Sequence, residues 1–226
     1  MAVLVIPVIC LSLASPAMGA PLPAPVVGAA DEAMVTLREA RSLGIDGKAI
    51  RAFSEIFGQR EAVDDPWLCD LDGAVEVEGI GARNELQVEI FSRWESGYIV
   101  ENELHAYRDE AEARKAYRLI RDLAPSCEGT VTSNEDRGRV TYRLTNGKGE
   151  TAQGRSFVWT YSRAVSADNP LDFRDNYITF TRIGSYVQVV ELESLGERTG
   201  NLSSTQRRDV RKLTGVLADR ATEKLP

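Results

Sequence analysis

The sequence predicts an α+β domain in which an antiparallel sheet is covered by helices, and three observations carry that expectation. Apolar and polar residues alternate at period two where Leu86, Val88 and Ile90 interleave with Gln87 and Glu89, and again where Phe157, Trp159 and Tyr161 fall on one strand face. Two other stretches repeat apolar residues every three to four positions. They are Ala113, Ala116/Tyr117, Ile120 and Leu123/Ala124, then Val210, Leu213, Leu217 and Ala221, the stripes of two amphipathic helices. Finally, the strand-like runs Tyr177–Ile183 and Tyr186–Leu192 are separated only by Gly184-Ser185, which fits a type II′ hairpin and so antiparallel pairing.

The first thirty residues carry no charge, and Val3–Leu13 is an apolar run too short for a bilayer core of ~30 Å. Pro7 and Pro16 interrupt it, and Ala17-Met18-Gly19 places small residues at the −3 and −1 positions of a signal-peptidase site. Residues 1–19 are therefore expected to be a signal peptide, with cleavage after Ala20 as the runner-up. No Lys or Arg precedes the apolar run. Either the natural start lies upstream of Met1 or export tolerates that defect. Cys10 does not suit lipidation, because Pro7-Val8-Ile9 is no small-residue lead-in.

Cleavage would leave roughly 200 residues, enough for one domain that buries about 70% of its unfolded surface. Its net charge of −7 gives no general attraction to phosphate backbones or anionic lipid surfaces, so nucleic acid is not an expected partner. The short, Pro-interrupted apolar run leaves no stable membrane span expected either. The mature chain would keep Cys69 and Cys127, which in an oxidising compartment read as one disulfide. Closing that loop would restrain the unfolded chain by roughly 4 kcal/mol.

The uncharged segment Ala20–Ala30 reads as an extended Pro/Ala-rich tether, with a single globular domain over 31–226. Met34, Leu37 and Ala40 share one helical face; Ile50, Phe53 and Phe57 share another, opened by Asp46 and closed by Gly58. Asp64-Asp65-Pro66 breaks the pattern. Strands are then expected around Val75/Val77, over Leu86–Ile90 and over Tyr98–Tyr107, with turns at Gly79–Asn84 and Ser96-Gly97. Asp109 and Glu112 form a capping-box pattern at the start of the next helix, and Pro125 ends it. Val140–Leu144 reads as a strand running into a glycine-rich turn, Asn146-Gly147-Lys148-Gly149, and Ser203 with Gln206 opens the last helix. There is no internal repeat.

Few residues suggest chemistry. His105 is the one histidine, so an imidazole pair for zinc is excluded and a catalytic triad would have to use it; it lies mid-strand with no nucleophile elbow in the chain. Asp70-Leu71-Asp72-Gly73 lacks the third ligand and terminal Glu of a calcium loop. Gly79-Ile80-Gly81 and Gly147-Lys148-Gly149 lack phosphate-loop spacing. Glu89, Glu101, Glu103, Glu191 and Glu193 are candidates for a glycosidase-like pair, which needs two carboxyls roughly 5–10 Å apart across a groove. Among 34 acidic residues such candidates are cheap. Arg207-Arg208 with Arg211-Lys212 is a basic spot of the kind that usually faces solvent. Phe157, Trp159 and Tyr161 suit a core, or the floor of an apolar ligand site if a helix leaves them uncovered. No catalytic residue, metal ligand or cofactor is assigned.

The order of features also suggests a family. A strand ending in Tyr107 leads into an Ala-rich helix (Ala111, Ala113, Ala116) closed by Cys127; aromatic-rich strands, the hairpin Arg182-Ile183-Gly184-Ser185-Tyr186-Val187 and a C-terminal amphipathic helix follow. From about Trp67 to Leu225 this resembles the PknH-like extracellular sensor domains of actinobacteria, found on receptor Ser/Thr kinases and as stand-alone secreted proteins. The resemblance implies an α/β sandwich akin to the Mog1/PsbP fold with a ligand-binding cleft. The family commonly has two disulfides, whereas this chain has cysteines for one. The function so implied is that of a secreted, non-catalytic binding or sensing domain for a small or extended ligand, for example a cell-envelope fragment. A hydrolase with a strand-borne carboxylate pair, or a protein-binding inhibitor module, are the alternatives.

Overall fold

The computed structural model describes residues 24–55, 84–92, 97–123, 129–135, 138–166, 173–195 and 201–225. Cys69, Cys127, the strand expected at Val75/Val77, Asp70–Gly73, Gly79–Gly81 and the proposed signal peptide all lie outside the described residues. In chain order the elements are α1 (Ala24–Ala33), α2 (Leu37–Ser42), β1 (Gly47–Glu55), β2 (Asn84–Ser92), β3 (Tyr98–Ala106), α3 (Glu110–Leu123), β4 (Gly129–Glu135), β5 (Gly138–Glu150), β6 (Ser156–Ser166), β7 (Phe173–Ile183), β8 (Tyr186–Leu195) and α4 (Ser204–Lys224).

The strands form one antiparallel sheet in the order β1-β2-β3-β8-β7-β6-β5-β4. It is two meanders, β1–β3 and β4–β8, zipped together where β3 pairs with β8 in the centre. α3 lies in the chain between them. The fold is α+β, as the alternation pattern predicts.

Side-chain alternation divides the core in two. On one face Leu86, Val88, Ile90, Val100, Leu104, Tyr177, Val190 and Leu192 pack with Val210, Leu213 and Leu217 of α4 and with Met34, Ala40 and Ile45 of the N-terminal segment. On the other, Val158, Ile178, Phe180, Val187 and Val189 pack against Ala113, Ala116, Tyr117 and Ile120 of α3. Of the helical stripes read from the sequence, Ala113, Ala116, Tyr117 and Ile120 and all of Val210, Leu213, Leu217 and Ala221 are buried.

Local chemistry sets the helix starts. Ser203 Oγ accepts from the Gln206 N–H at 3.1 Å while Gln206 Oε1 accepts from the Ser203 N–H at 2.9 Å, a complete capping box on α4. At α3, Asp109 Oδ1 accepts from the Glu112 N–H at 2.9 Å, but Glu112 reaches one residue further back and accepts from the Arg108 N–H at 3.1 Å. In the β7–β8 hairpin Gly184 has φ +56°, whereas no described non-glycine residue has a positive φ. Ser185 is thus excluded from a type I′ turn, and the type II′ expectation stands.

Three sequence expectations are corrected. The tether expected over Ala20–Ala30 is helical from Ala24, with Ala30 and Ala33 buried. Alanine is the strongest helix former, and Pro25 falls in the first turn, where its missing N–H costs nothing. The helix expected between Asp46 and Gly58 is instead strand β1, paired from Gly47↔Ser92 to Glu55↔Asn84. Ile50 and Phe53 imitate a helical stripe, but the free edge of β2 offers the backbone a continuous ladder. The glycine-rich turn expected at Asn146–Gly149 is instead the last part of β5, and the real turn is Thr151–Arg155, closed by Gly154 at φ +74° and by the Thr151 N–H donating to the Arg155 carbonyl at 2.8 Å.

The stretch around Met34 is tied down by polar contacts rather than by one continuous helix. Asn102 Oδ1 accepts from the Val35 N–H at 2.9 Å, and its Nδ2 donates to the Val189 carbonyl at 2.8 Å. Arg220 of α4 donates to the Met34 carbonyl at 2.8 Å and pairs with Glu39. These contacts fix α1 and α2 over the sheet and leave the other flank of α4 facing β5 and β6.

Candidate functional site

The β6 aromatic strip lies on the α4 side of the sheet. Register places Phe157 opposite Thr181, Trp159 opposite Thr179 and Tyr161 opposite Tyr177 on β7, and places Gly149 and Gly147 of β5 opposite Phe157 and Trp159. The two glycines explain the rings' posture. A Cβ at Gly147 would come under 3.0 Å from three indole atoms of Trp159, and one at Gly149 equally close to the Phe157 ring. The aromatic rings occupy the space that side chains on β5 would fill. Trp159 also stacks on Tyr177, with ring centroids 5.7 Å apart and 25° between planes.

α4 crosses above this strip and contributes its basic side chains. Arg207 lies 4.4 Å from the Tyr161 ring centroid, and Arg211 lies 6.0 Å from that of Tyr177 and donates to its hydroxyl at 3.4 Å. Between α4 and the β5–β6 hairpin opens a cleft of about 520 Å³, in the range of small-molecule sites. Phe157, Trp159 and the Thr151–Gln153 turn line it from the sheet side; Arg208, Arg211, Lys212, Gly215, Val216 and Asp219 line it from α4. Lys148 and Glu150 also border it, but strand alternation turns their side chains to the α3 face. There the Asp122 carboxyl is held down first by its hydrogen bond from Arg121 and, to a lesser degree, by the Lys148 charge.

Phe157 and Trp159 are thus brought together in the cleft. Tyr161 lies beyond it, in a polar knot. Asp175, fully buried, accepts from Arg163 Nε and Nη2 at 2.7 Å each, from the Tyr161 hydroxyl at 2.7 Å and from the Leu202 N–H at 2.8 Å. Burial, and then the hydrogen bond to Asp175, push the Tyr161 hydroxyl up to about 12; burial alone takes Tyr177 to about 12. Both phenols stay neutral at physiological pH.

The strand glutamates gather on the opposite, α3-side face. Glu89, Glu101 and Glu191 lie directly across from one another on β2, β3 and β8. Burial, reinforced by the charges of Glu101, Glu193 and Glu103, raises the Glu191 carboxyl well above the usual range. Burial raises Glu89 as well. Burial is the largest influence on Glu103 and raises it, but the hydrogen bond to His105 Nε2 at 2.8 Å, the charge of His105 and a hydrogen bond with Glu101 together outweigh burial and hold it low. His105 is therefore a partner of Glu103 on the strand. Like charges in one cross-strand row repel, which adds to burial in favouring the protonated form of Glu191. Among the described residues no group of three or more His, Cys, Asp or Glu side chains is arranged to hold a metal ion.

The sequence contained both halves of the cleft but not their meeting. The basic spot at Arg207–Lys212 and the aromatic strip are some fifty residues apart in the chain, and each alone has an ordinary explanation. The missed signal was the glycine spacing: Gly147 and Gly149 match the two-residue spacing of Phe157 and Trp159, as expected for glycines covered by aromatic rings on a neighbouring strand.

Among the described residues no helix is long and apolar enough to cross a membrane. No family model matches the sequence, and no curated protein matches it. The fold is similar to that of a solved structure, the extracellular domain of PknH from Mycobacterium tuberculosis, with a TM-score of 0.58, 9% identity and coverage of 85% of this chain and 94% of that one. At that identity the likeness is one of fold.

Proposed function

We propose that this chain is an extracytoplasmic, non-catalytic binding or sensing domain that holds a small ligand in the cleft between α4 and the β5–β6 hairpin. The observation that carries the reading is the seating of Trp159 on Gly147: a half-buried aromatic ring that packs on the core also lines the cleft, beside cations. The fold shared with an extracellular domain supports the location, as does the uncharged, apolar leader. In this reading residues 1–19 are removed on export and Cys69 and Cys127 form a disulfide. Intact mass with and without reductant tests the latter; two free thiols in the exported protein would remove it.

A second reading, a hydrolase, draws on the Glu101–Glu191 juxtaposition, where a carboxyl whose pKa burial raises faces a neighbouring carboxyl. The burial of Glu191 counts against it, because a substrate must reach the acid. A thermal-shift screen against lipids, cell-wall fragments and metabolites, with product analysis on every hit, separates the two. The binding reading expects melting shifts without turnover. Turnover abolished by Glu191→Gln would replace it with the hydrolase.

A further inference from the structure

We propose that the α4/β5–β6 cleft selects an amphiphilic organic anion, a single anionic head carrying a slender apolar tail; this rests on the cleft being the binding site. The cleft is polarised along its length. At one end α4 supplies Arg208, Arg211 and Lys212. About one turn beyond Arg211 and Lys212, and two beyond Arg208, the α4 lining becomes Gly215 and Val216, and the sheet side supplies Trp159, Phe157 and Ala152. From Arg208 to Val216 the helix rises about 12 Å, which sets the length of the tail.

The charges are arranged to leave a surplus at the basic end. Arg208 and Lys212 both contact the one carboxylate of Asp209, each at 3.3 Å. Arg211 is held by the hydroxyl and ring of Tyr177, and among the described residues no carboxylate pairs with it. The carboxylate on the cleft's α4 wall, Asp219, sits at the far end, 3.8 Å from Arg155. A chain of net charge −7 thus presents a locally positive pocket beside an aromatic floor. Such a pocket attracts an anion and repels a cation.

The apolar end has its own mark. Val216 is 51% exposed, and Leu37 is the other large hydrophobic left exposed among the described residues. Val216 stands on the lip of the cleft, where a bound tail would cover it. Phe157 beneath is buried on the sheet side and contributes the floor.

Isothermal titration of the chain with n-octyl phosphate, n-octyl glucoside, octyltrimethylammonium and inorganic phosphate, all below micelle formation, tests this directly. The phosphate amphiphile is expected to bind at least tenfold more tightly than the other three. Arg211→Gln should weaken it about tenfold, and Val216→Asn, at an exposed position that folding tolerates, about threefold. Equal binding of the glucoside or the ammonium would overturn the anion while leaving the cleft as a binding site; equal binding of inorganic phosphate would overturn the tail. Affinity indifferent to both variants, or association seen only by sedimentation with phosphatidylglycerol vesicles, would place the chemistry outside the cleft and end the proposal. No heat from any probe would end both the proposal and the binding reading beneath it.

Discussion

The indole of Trp159 lies on the backbone of Gly147 so closely that a Cβ there would collide with three ring atoms. Alanine at a strand glycine normally stabilises by narrowing the unfolded ensemble, by about 0.4–1 kcal/mol. Here the sign reverses. Gly147→Ala is expected to cost about 1–3 kcal/mol by overpacking and to lift the indole out of the cleft. Urea unfolding monitored by fluorescence measures it, and a gain in stability would show that the ring yields freely.

Gly215 provides the internal contrast. A Cβ there meets Thr151 at 3.4 Å, ordinary contact, and the position is mid-helix in α4. Gly215→Ala should stabilise by about 0.5–1 kcal/mol. Its midpoint in urea should rise while that of Gly147→Ala falls.

Asp175 links three elements: Arg163 and Tyr161 of β6 and the Leu202 N–H that leads into α4. Asp175→Ala removes the carboxylate that pairs with Arg163, whose side chain is 28% exposed and keeps its hydrogen bond to the Tyr161 hydroxyl. The expected loss is about 3 kcal/mol. The double variant with Arg163→Ala should recover part of it; a loss under 0.5 kcal/mol for Asp175→Ala would mean that the knot contributes nothing.

Asn102 holds the Val35 N–H and the Val189 carbonyl in the core. Asn102→Ala leaves the buried Val35 N–H without its acceptor, while the Val189 carbonyl stays within the sheet ladder, and should cost about 2 kcal/mol. Hydrogen exchange should show faster opening of residues 34–43 than of β7. Uniform protection across both would contradict the local role.

Glu191 and Glu103 act in separate pH windows. Glu191 has its folded pKa raised above the ordinary 4.5, so the folded state binds its proton more tightly. That contribution is complete below 4.5 and is lost as pH rises through the raised value. Glu103, held low, contributes above 4.5 and loses its contribution as pH falls. Glu191→Gln should therefore flatten the decline of stability on the alkaline side and leave the acid limb unchanged. Urea midpoints from pH 3 to 9 report both; an unchanged alkaline slope would contradict the burial of an acid in that row. Glu89, raised in the same direction, leaves a residual slope.

Strands β2, β3, β7 and β8 and helices α3 and α4 were legible because their apolar periods match their geometry and their caps are local. β1 was not, since Ile50 and Phe53 satisfy a helical spacing as readily as a strand edge. β5 was legible only in its first half, Val140–Leu144: Asn146-Gly147-Lys148-Gly149 has turn composition, and only the rings of Phe157 and Trp159 across the ladder make it strand. The cleft lay further out of reach. It depends on α4 laying Arg211 over Tyr177, a contact between distant segments that no local pattern encodes.

The cleft itself is tested most directly by the Trp159 indole Nε1–H resonance, assigned by its loss in Trp159→Phe, during titration with n-octyl phosphate. The account predicts a saturable shift of that resonance together with the backbone amides of Gly147, Arg211 and Val216, while Glu101 and Val189 on the far face stay fixed. Saturable binding that leaves Trp159 unmoved, or that shifts the α3 face instead, would contradict it.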